Sequence, residues 1–208
     1  SSLFQSVSHV NRVLHNLCTD VWTYISLGYL TQIPEPGATG SSTMPHKINP
    51  IRFENAEANL EISSALLDSL SATLVTSRLQ RDLTDSTTQR NIGVALGHSL
   101  VALANLAKGL NEIDLNPEAL GADLAANQEV LAEAIQTVIR AEIARGNSSI
   151  SDPYAVVKEL TRGRKVNQEM LREFIEGLDI SDQAKSHLAS LTTEKYTGLA
   201  SKLVDYLD

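Results

Sequence analysis

Apolar residues recur at alternating spacings of three and four in three long segments of this chain. The first runs Leu3, Val7, Val10, Leu14, Leu17, Val21, Ile25. The second runs Phe53, Ala56, Leu60, Ser63, Leu67, Leu70, Leu74. The third runs Ile92, Leu96, Ser99, Leu103, Leu106, Leu110. A mean repeat of 3.5 is the seam of nearly parallel packed helices. The second segment predicts a helix over about 50–77, on the order of 40 Å long at ~1.5 Å per residue, which points to an elongated bundle. The first seam is in register from Leu3 with no capping residue or turn ahead of it, so the sequence is expected to be the C-terminal part of a longer polypeptide.

Between the first two helices, residues 31–49 hold Pro34, Pro36, Gly37 and Gly40. So long a loop in a helical protein is functional or disordered. It closes on Asn49-Pro50, an N-cap followed by proline at the first helical position, and Asp85 or Ser86 is placed to cap the third long helix. Beyond Glu112 the pattern shortens. Helices are predicted after Asn116-Pro117, from Asn127 to Arg145 with a stop at Gly146, from Asp152-Pro153 to Gly163, from Asn167 to Glu176 with a stop at Gly177, and after Ser181 and Thr193. No strand alternation of useful length and no internal repeat is present. The predicted fold is all-α: residues 1–112 as part of an elongated helical bundle with a loop at 33–49, then residues 113–208 as a small domain of short helices.

Composition sharpens this in a few respects. Aromatics are 4% of 208 residues, so the core is aliphatic, as helix bundles usually are. No uninterrupted apolar run reaches the roughly 18 residues that span a bilayer, and no basic segment precedes an apolar one at the start, so neither a membrane helix nor a signal peptide is expected. The single cysteine, Cys18, allows no internal disulfide and fits a reducing cytoplasm. The net charge of −8 argues against nucleic acid and acidic membrane surfaces as partners. Residues 113–208 carry ten Lys/Arg against sixteen Asp/Glu, which reads as a solvated acidic surface.

The stretch from Gly37 to Pro50 carries the candidate chemistry. Small residues admit close backbone approach, and Ser41, Ser42, Lys47 and Asn49 place two hydroxyls, a cation and an amide within nine positions. The loop runs into the N-terminus of a long helix, where backbone N–H groups and the dipole favour an anion. Lys47 lies seven positions beyond Gly40, so this is no Walker loop. By residue types alone, a flexible connector and an anion site are both open. In the same way, Ser86 and Arg90, four apart with Arg81 upstream, form either a phosphate site or arginines paired with Asp82 and Asp85.

Ser41-Ser42-x-Met44-Pro45-x-Lys47-x-Asn49-Pro50 resembles the signature of the fumarase/aspartase superfamily of lyases. Residues 77–91, with Phe53-Glu54-Asn55-Ala56-Glu57-Ala58-Asn59, are similar to the bacterial adenylosuccinate lyases. The likeness continues through residues 127–133 and 159–163 and so covers essentially the whole chain, but only the C-terminal part of such an enzyme.

The resemblance implies a β-elimination that splits adenylosuccinate to AMP and fumarate and also cleaves the succinyl-carboxamide intermediate of purine synthesis. It implies Ser41 as the base that takes the proton beside a carboxylate. A serine hydroxyl is a poor base, and loop amides, the helix start and Lys47 would have to stabilise its anion once water is excluded. Lys47 would also face the charge that builds on the carboxylate. Ser42 and Asn49 would bind the fumarate portion, Asn55 the substrate, and Arg81, Ser86 and Arg90 the nucleotide phosphate. The family's general acid is a histidine that no histidine here matches. Family members are homotetramers with active sites built from several subunits. No cofactor and no metal is implied.

Several tempting residues have plainer readings. His46 stabilises the loop. His9, His15, His98 and His187 show no metal-ligand spacing, and Cys18 packs beside the first seam. Arg162, Arg164 and Lys165 complement a helix dipole, while Met170 and Phe174 belong to the core. Two alternatives stay open: another superfamily lyase of the argininosuccinate lyase or cycloisomerase type, and a non-catalytic helical assembly module. The 81–91 stretch speaks against the first, and Ser41 together with Lys47 against the second.

Overall fold

A computed structural model describes residues 1–33, 49–80, 82–162 and 165–207. The chain divides into two compact units, Ser1–Asn116 and Pro117–Asp208.

The first unit is built on three helices, α1 (Ser2–Ser26), α2 (Ile51–Thr73) and α4 (Ile92–Asn111), with a six-residue helix α3 (Thr84–Gln89) between the last two. Helix α2 lies in the middle and packs on both α1 and α4. It buries Phe53, Ala56, Leu60, Ser63, Leu67 and Leu70 on the predicted seam, with Ser64 and Ser71 beside it. The other two seams are rotated. In α1 the buried positions are Ser8, Asn11, Cys18 and Val21, while Leu3 and Val10 are exposed. In α4 they are Ala95, Ser99, Ala102, Leu106 and Gly109, while Leu96, Leu103 and Leu110 are exposed. Small residues on α4 let its backbone come close to α2: a Cβ on Gly109 would lie 2.9 Å from the Phe53 ring.

The seam also carries a buried polar node. Asn11 Nδ2 donates to Ser63 Oγ and to Ser99 Oγ, each at 3.0 Å, and Ser63 and Ser99 share a hydrogen bond of 2.7 Å. Ser63 Oγ also lies 2.8 Å from the Ala95 carbonyl oxygen. A slip of any helix would leave these groups unpaired in an apolar core, which sets the register of the three. Cys18 is fully buried, and burial, with Glu57 adding to it, pushes its thiol up to about 11, so it packs rather than reacts.

Two features depart from the sequence expectations. The third long helix does not start at Asp85 or Ser86, because Arg90 and Asn91 form a turn that separates α3 from α4. A short antiparallel ribbon is present, β1 (Leu30–Gln32) on β2 (Ile113–Leu115), too short to show as alternation. It begins where Gly28, at φ +77°, turns the chain out of α1. Moreover, the stretch Thr84–Asn111 is by length and composition long and apolar enough to cross a membrane, with mean hydropathy 1.3 in its most apolar window. The stretch holds no long uninterrupted apolar run, because Gly93, Gly97, His98 and Ser99 punctuate it. Ser99 within that stretch is bonded into the polar node with Asn11 and Ser63, as a helix of a bundle core is.

The second unit packs α5 (Pro117–Ala126), α6 (Ala132–Ala144), α7 (Pro153–Thr161), α8 (Gln168–Glu176), α9 (Asp182–Ala189) and α10 (Ala200–Leu203), with 3₁₀ turns at Gln128–Leu131, Thr193–Lys195 and Val204–Tyr206. Three starts are capped as their sequences predict. Asp152 accepts from Tyr154 and Ala155 N–H, Asn167 from Met170 N–H, and Ser181 from Ala184 N–H. The core joins Leu131, Ile135, Ile139, Val157, Leu171, Ile175 and Leu188, with Met170 and Phe174 partly buried against it.

Near the end of α6, Glu142 is buried and bonded on several sides. It accepts from Arg145 Nη1 at 3.0 Å, Asn147 Nδ2 at 3.3 Å and the Ser181 N–H at 3.2 Å. Ser181, through its side chain first, then Arg145 and Asn147, pulls its carboxyl down to about 2 against the opposing effect of burial. The folded value lies below the ordinary 4.5, so the stabilisation is complete above pH 4.5 and is lost as pH falls towards about 2. Glu142→Gln is expected to flatten the melting temperature over that window. Wild type and variant melting in parallel from pH 5 to pH 2 would refute the assignment.

Candidate functional site

The described candidate residues fall at opposite ends of the α2–α4 pair. Asn49 and Asn55 lie at the start of α2, where Phe53 meets Gly109 at the end of α4. Ser86 and Arg90 lie just ahead of α4, whose first turns pack on the last turns of α2 through Ile92, Ala95, Leu67, Leu70 and Leu74. Asn55 and Leu70 are fifteen positions apart on one helix, about 22 Å at ~1.5 Å per residue. Ser41, Ser42, Lys47 and Arg81, with His46 and Arg164, lie outside the described residues.

At the α2 start, the helix begins one residue later than the sequence suggests. Pro50 itself is the N-cap, because its ψ of 62° is not helical, and its carbonyl accepts from Phe53 and Glu54 N–H at 3.0 and 3.1 Å. The side chain of Asn49 therefore does not cap the helix and is exposed. The flanks of the 34–48 segment are tied to one residue. Ile33 N–H donates to the Glu112 carbonyl at 2.8 Å, and Arg52 grips the Glu112 carboxylate through Nε at 3.2 Å and Nη2 at 3.4 Å. Nothing in the sequence spacing announces this clamp, since Arg52 and Glu112 are sixty positions apart. The ribbon and the bond from Asn116 Nδ2 to the Gly28 carbonyl at 2.9 Å hold the same end together.

Asn55 is exposed, four positions ahead of Asn59 on the same face of α2. Asn59 Nδ2 donates to the Asn55 carbonyl at 2.8 Å and to Asn55 Oδ1 at 3.1 Å, and Asn59 Oδ1 lies 2.7 Å from His98 Nδ1 on α4. On the α1 side of α2, His15 Nε2 is 3.3 Å from Glu61 and 3.6 Å from Glu57, a cluster that sequence spacing did not show. Among the described residues no three His, Cys, Asp or Glu side chains are grouped to hold a metal.

At the other end, Leu79 adopts a left-handed φ of 50° and is almost wholly exposed, turning the chain just after Arg78. Asp82 accepts from Thr84 N–H at 2.9 Å, and this bond, with Thr84's side chain and Arg78, holds its carboxyl below the usual carboxylate range. Asp85 accepts from Ser86 N–H at 2.7 Å and from Gln89 at 3.5 Å. Asp82 pairs with Arg78, not Arg90. Arg90 is exposed and makes no ion pair among the described residues, so the pairing of Arg90 with Asp82 or Asp85 is not what the structure shows. A hollow of about 340 Å³ beside α3 is lined by Thr73, Thr76, Arg78, Asp82, Thr84 and Asp85, with Ala72.

Two family models match the chain: adenylosuccinate lyase C-terminal over residues 77–197, more than half of it, and lyase over residues 2–62. The chain is 50% identical over 200 residues to an adenylosuccinate lyase of Legionella pneumophila (strain Corby), covering 96% of this chain and 42% of that protein. It is 44% identical over 207 residues to that of Escherichia coli (strain K12), covering 100% and 44%. It is 45% identical over 202 residues to that of Dictyostelium discoideum, covering 96% and 42%. The chain thus spans less than half the length of these relatives.

Proposed function

The chain belongs to the adenylosuccinate lyase C-terminal family, and we propose that it is the part of a lyase that eliminates fumarate from adenylosuccinate and from the succinyl-carboxamide ribonucleotide. The observation that carries this reading is Arg90, an exposed guanidinium with no ion pair among the described residues, two positions ahead of a twenty-residue helix. A phosphate placed there meets a bidentate fork and the positive end of the α4 dipole, with the Ser86 hydroxyl one turn away and Arg81 upstream. At the other end of α2, Asn49 and Asn55 offer amides to the succinyl portion beside the segment that carries Ser41, Ser42 and Lys47.

These two ends are too far apart for one nucleotide to touch both within a single bundle. The proposed site is therefore shared between copies, one giving the phosphate group and another the elimination group. Exposed Val94, Leu96, Leu100, Val101, Leu103 and Leu110 give α4 an aliphatic face to pack in such an assembly, which we propose is a homotetramer acting in the cytoplasm. In the proposed chemistry Ser41 takes the proton beside the carboxylate, Lys47 stabilises the charge that forms, and no metal or cofactor takes part.

In the full-length polypeptide, the loss of adenylosuccinate absorbance should follow Michaelis kinetics. Arg90→Lys is expected to raise KM by about 10- to 100-fold with a smaller change in kcat, because lysine cannot reproduce the two-pronged contact. A substrate analogue without the phosphate should not sense the change. Equal losses with both substrates would remove Arg90 from the phosphate group.

A further inference from the structure

We infer that His98 and Asn59 are positioning residues that hold the Asn55 side chain with its amino group turned outward, as a hydrogen-bond donor to an acceptor oxygen of the substrate. The inference rests on the lyase reading above and on Asn55 as a substrate contact.

The orientation follows from one group that has no choice. The Asn55 backbone carbonyl only accepts, so the Asn59 atom 2.8 Å from it is the amide nitrogen. The other Asn59 atom, facing His98 Nδ1 at 2.7 Å, is then the carbonyl oxygen, and His98 Nδ1 must carry a proton. The same Asn59 nitrogen has a second N–H, and 3.1 Å away it meets an atom of the Asn55 side chain that must accept. That atom is Oδ1. The Asn55 amino group is left pointing away from this chain of bonds, with no partner among the described residues, on an exposed position of α2.

An isolated asparagine on a helix surface presents either end of its amide to a ligand and loses rotamer freedom on binding. Here the Asn55 backbone carbonyl sets the Asn59 amide, and His98, reaching across from α4, holds it in that orientation before substrate arrives. Either the neutral Nδ1–H tautomer or the imidazolium makes the bond. The acceptor on the substrate is a carboxylate, hydroxyl or phosphate oxygen. A substrate atom that itself donates would meet two opposed N–H groups and be rejected.

The test uses the full-length enzyme. His98→Leu removes the donor and is expected to raise KM for adenylosuccinate about 3- to 10-fold while kcat changes less. His98→Asn places an amide nitrogen where Nδ1 stood and should restore KM to near the wild-type value. In an Asn55→Ala background His98→Leu should add nothing to KM, because the residue acts through Asn55. If the leucine variant does not fold, His98→Phe, which keeps the ring and loses the donor, reads the same quantity. An unchanged KM, a failure of the asparagine variant to rescue, or an equal increment in the Asn55→Ala background each overturns the inference. Absence of turnover by the wild type overturns the lyase reading instead, whereas normal wild-type turnover with an unmoved KM discards the positioning role alone.

Discussion

Ser41→Ala in the full-length polypeptide is expected to lower kcat by about 10²- to 10⁴-fold, with KM close to that of the wild type. The alanine removes the atom proposed to take the proton and leaves every proposed binding group in place. A serine acts as a base only where its anion is stabilised, and a hydroxyl that merely bound substrate would affect KM instead. The proposed stabilisers are Lys47, the loop amides and the start of α2. Glu112 holds both Ile33 and Arg52 at the same end of the bundle. Steady-state kinetics on the purified variant decide the matter. A kcat near normal would remove Ser41 from the chemistry, and a larger loss in Ser42→Ala would exchange the two roles.

The second large effect concerns stability. Phe53→Ala is expected to cost about 3–5 kcal/mol, as for other fully buried aromatic residues. Phe53 is 2% exposed and packs against the bare backbone of Gly109, where a Cβ would lie 2.9 Å from the ring. The space it fills is closed on the α4 side by main chain, so the site has little means of collapsing. Gly109→Ala attacks the same contact from the other side and is expected to cost about 1–3 kcal/mol by overpacking. Phe53→Leu combined with Gly109→Ala should cost less than the two single changes together, because the smaller side chain makes room for the added methyl group. Urea denaturation followed by circular dichroism measures all of these. A loss below about 1 kcal/mol for Phe53→Ala would show that the contact carries little of the core's stability.

Much of the architecture was legible because it is decided within a few residues. Asp152, Asn167 and Ser181 cap their helices through bonds to N–H groups two or three positions ahead, so short-range sequence contains the whole interaction. The seam of α2 was read correctly because this helix is enclosed on two sides and most of its apolar residues find a neighbour. The candidate residues at both ends of the bundle were legible as motifs, and Asn55 and Arg90 could be nominated without coordinates.

The arrangement of those motifs was not legible. A 3.5-residue repeat shows that a helix has an apolar stripe, but α1 and α4 carry more apolar positions than one chain covers. The pattern alone does not say which arc meets which neighbour. Only packing shows that α4 turns its small residues, Ala95, Ala102 and Gly109, towards α2 and leaves Leu96, Leu103 and Leu110 outside. The Asn11–Ser63–Ser99 node and the Glu112 clamp join residues 36 to 88 positions apart, and chain spacing carries no trace of them. The chain of bonds from His98 through Asn59 to Asn55 is of the same kind, since it forms only where α4 packs on α2. The sequence by itself determined the helices, their caps and the residue types that chemistry needs, because those rest on local hydrogen bonding and periodicity. Tertiary structure alone decided which faces meet and that Asn55 and Arg90 lie at opposite ends of one bundle, because those depend on how long antiparallel helices bring distant positions side by side.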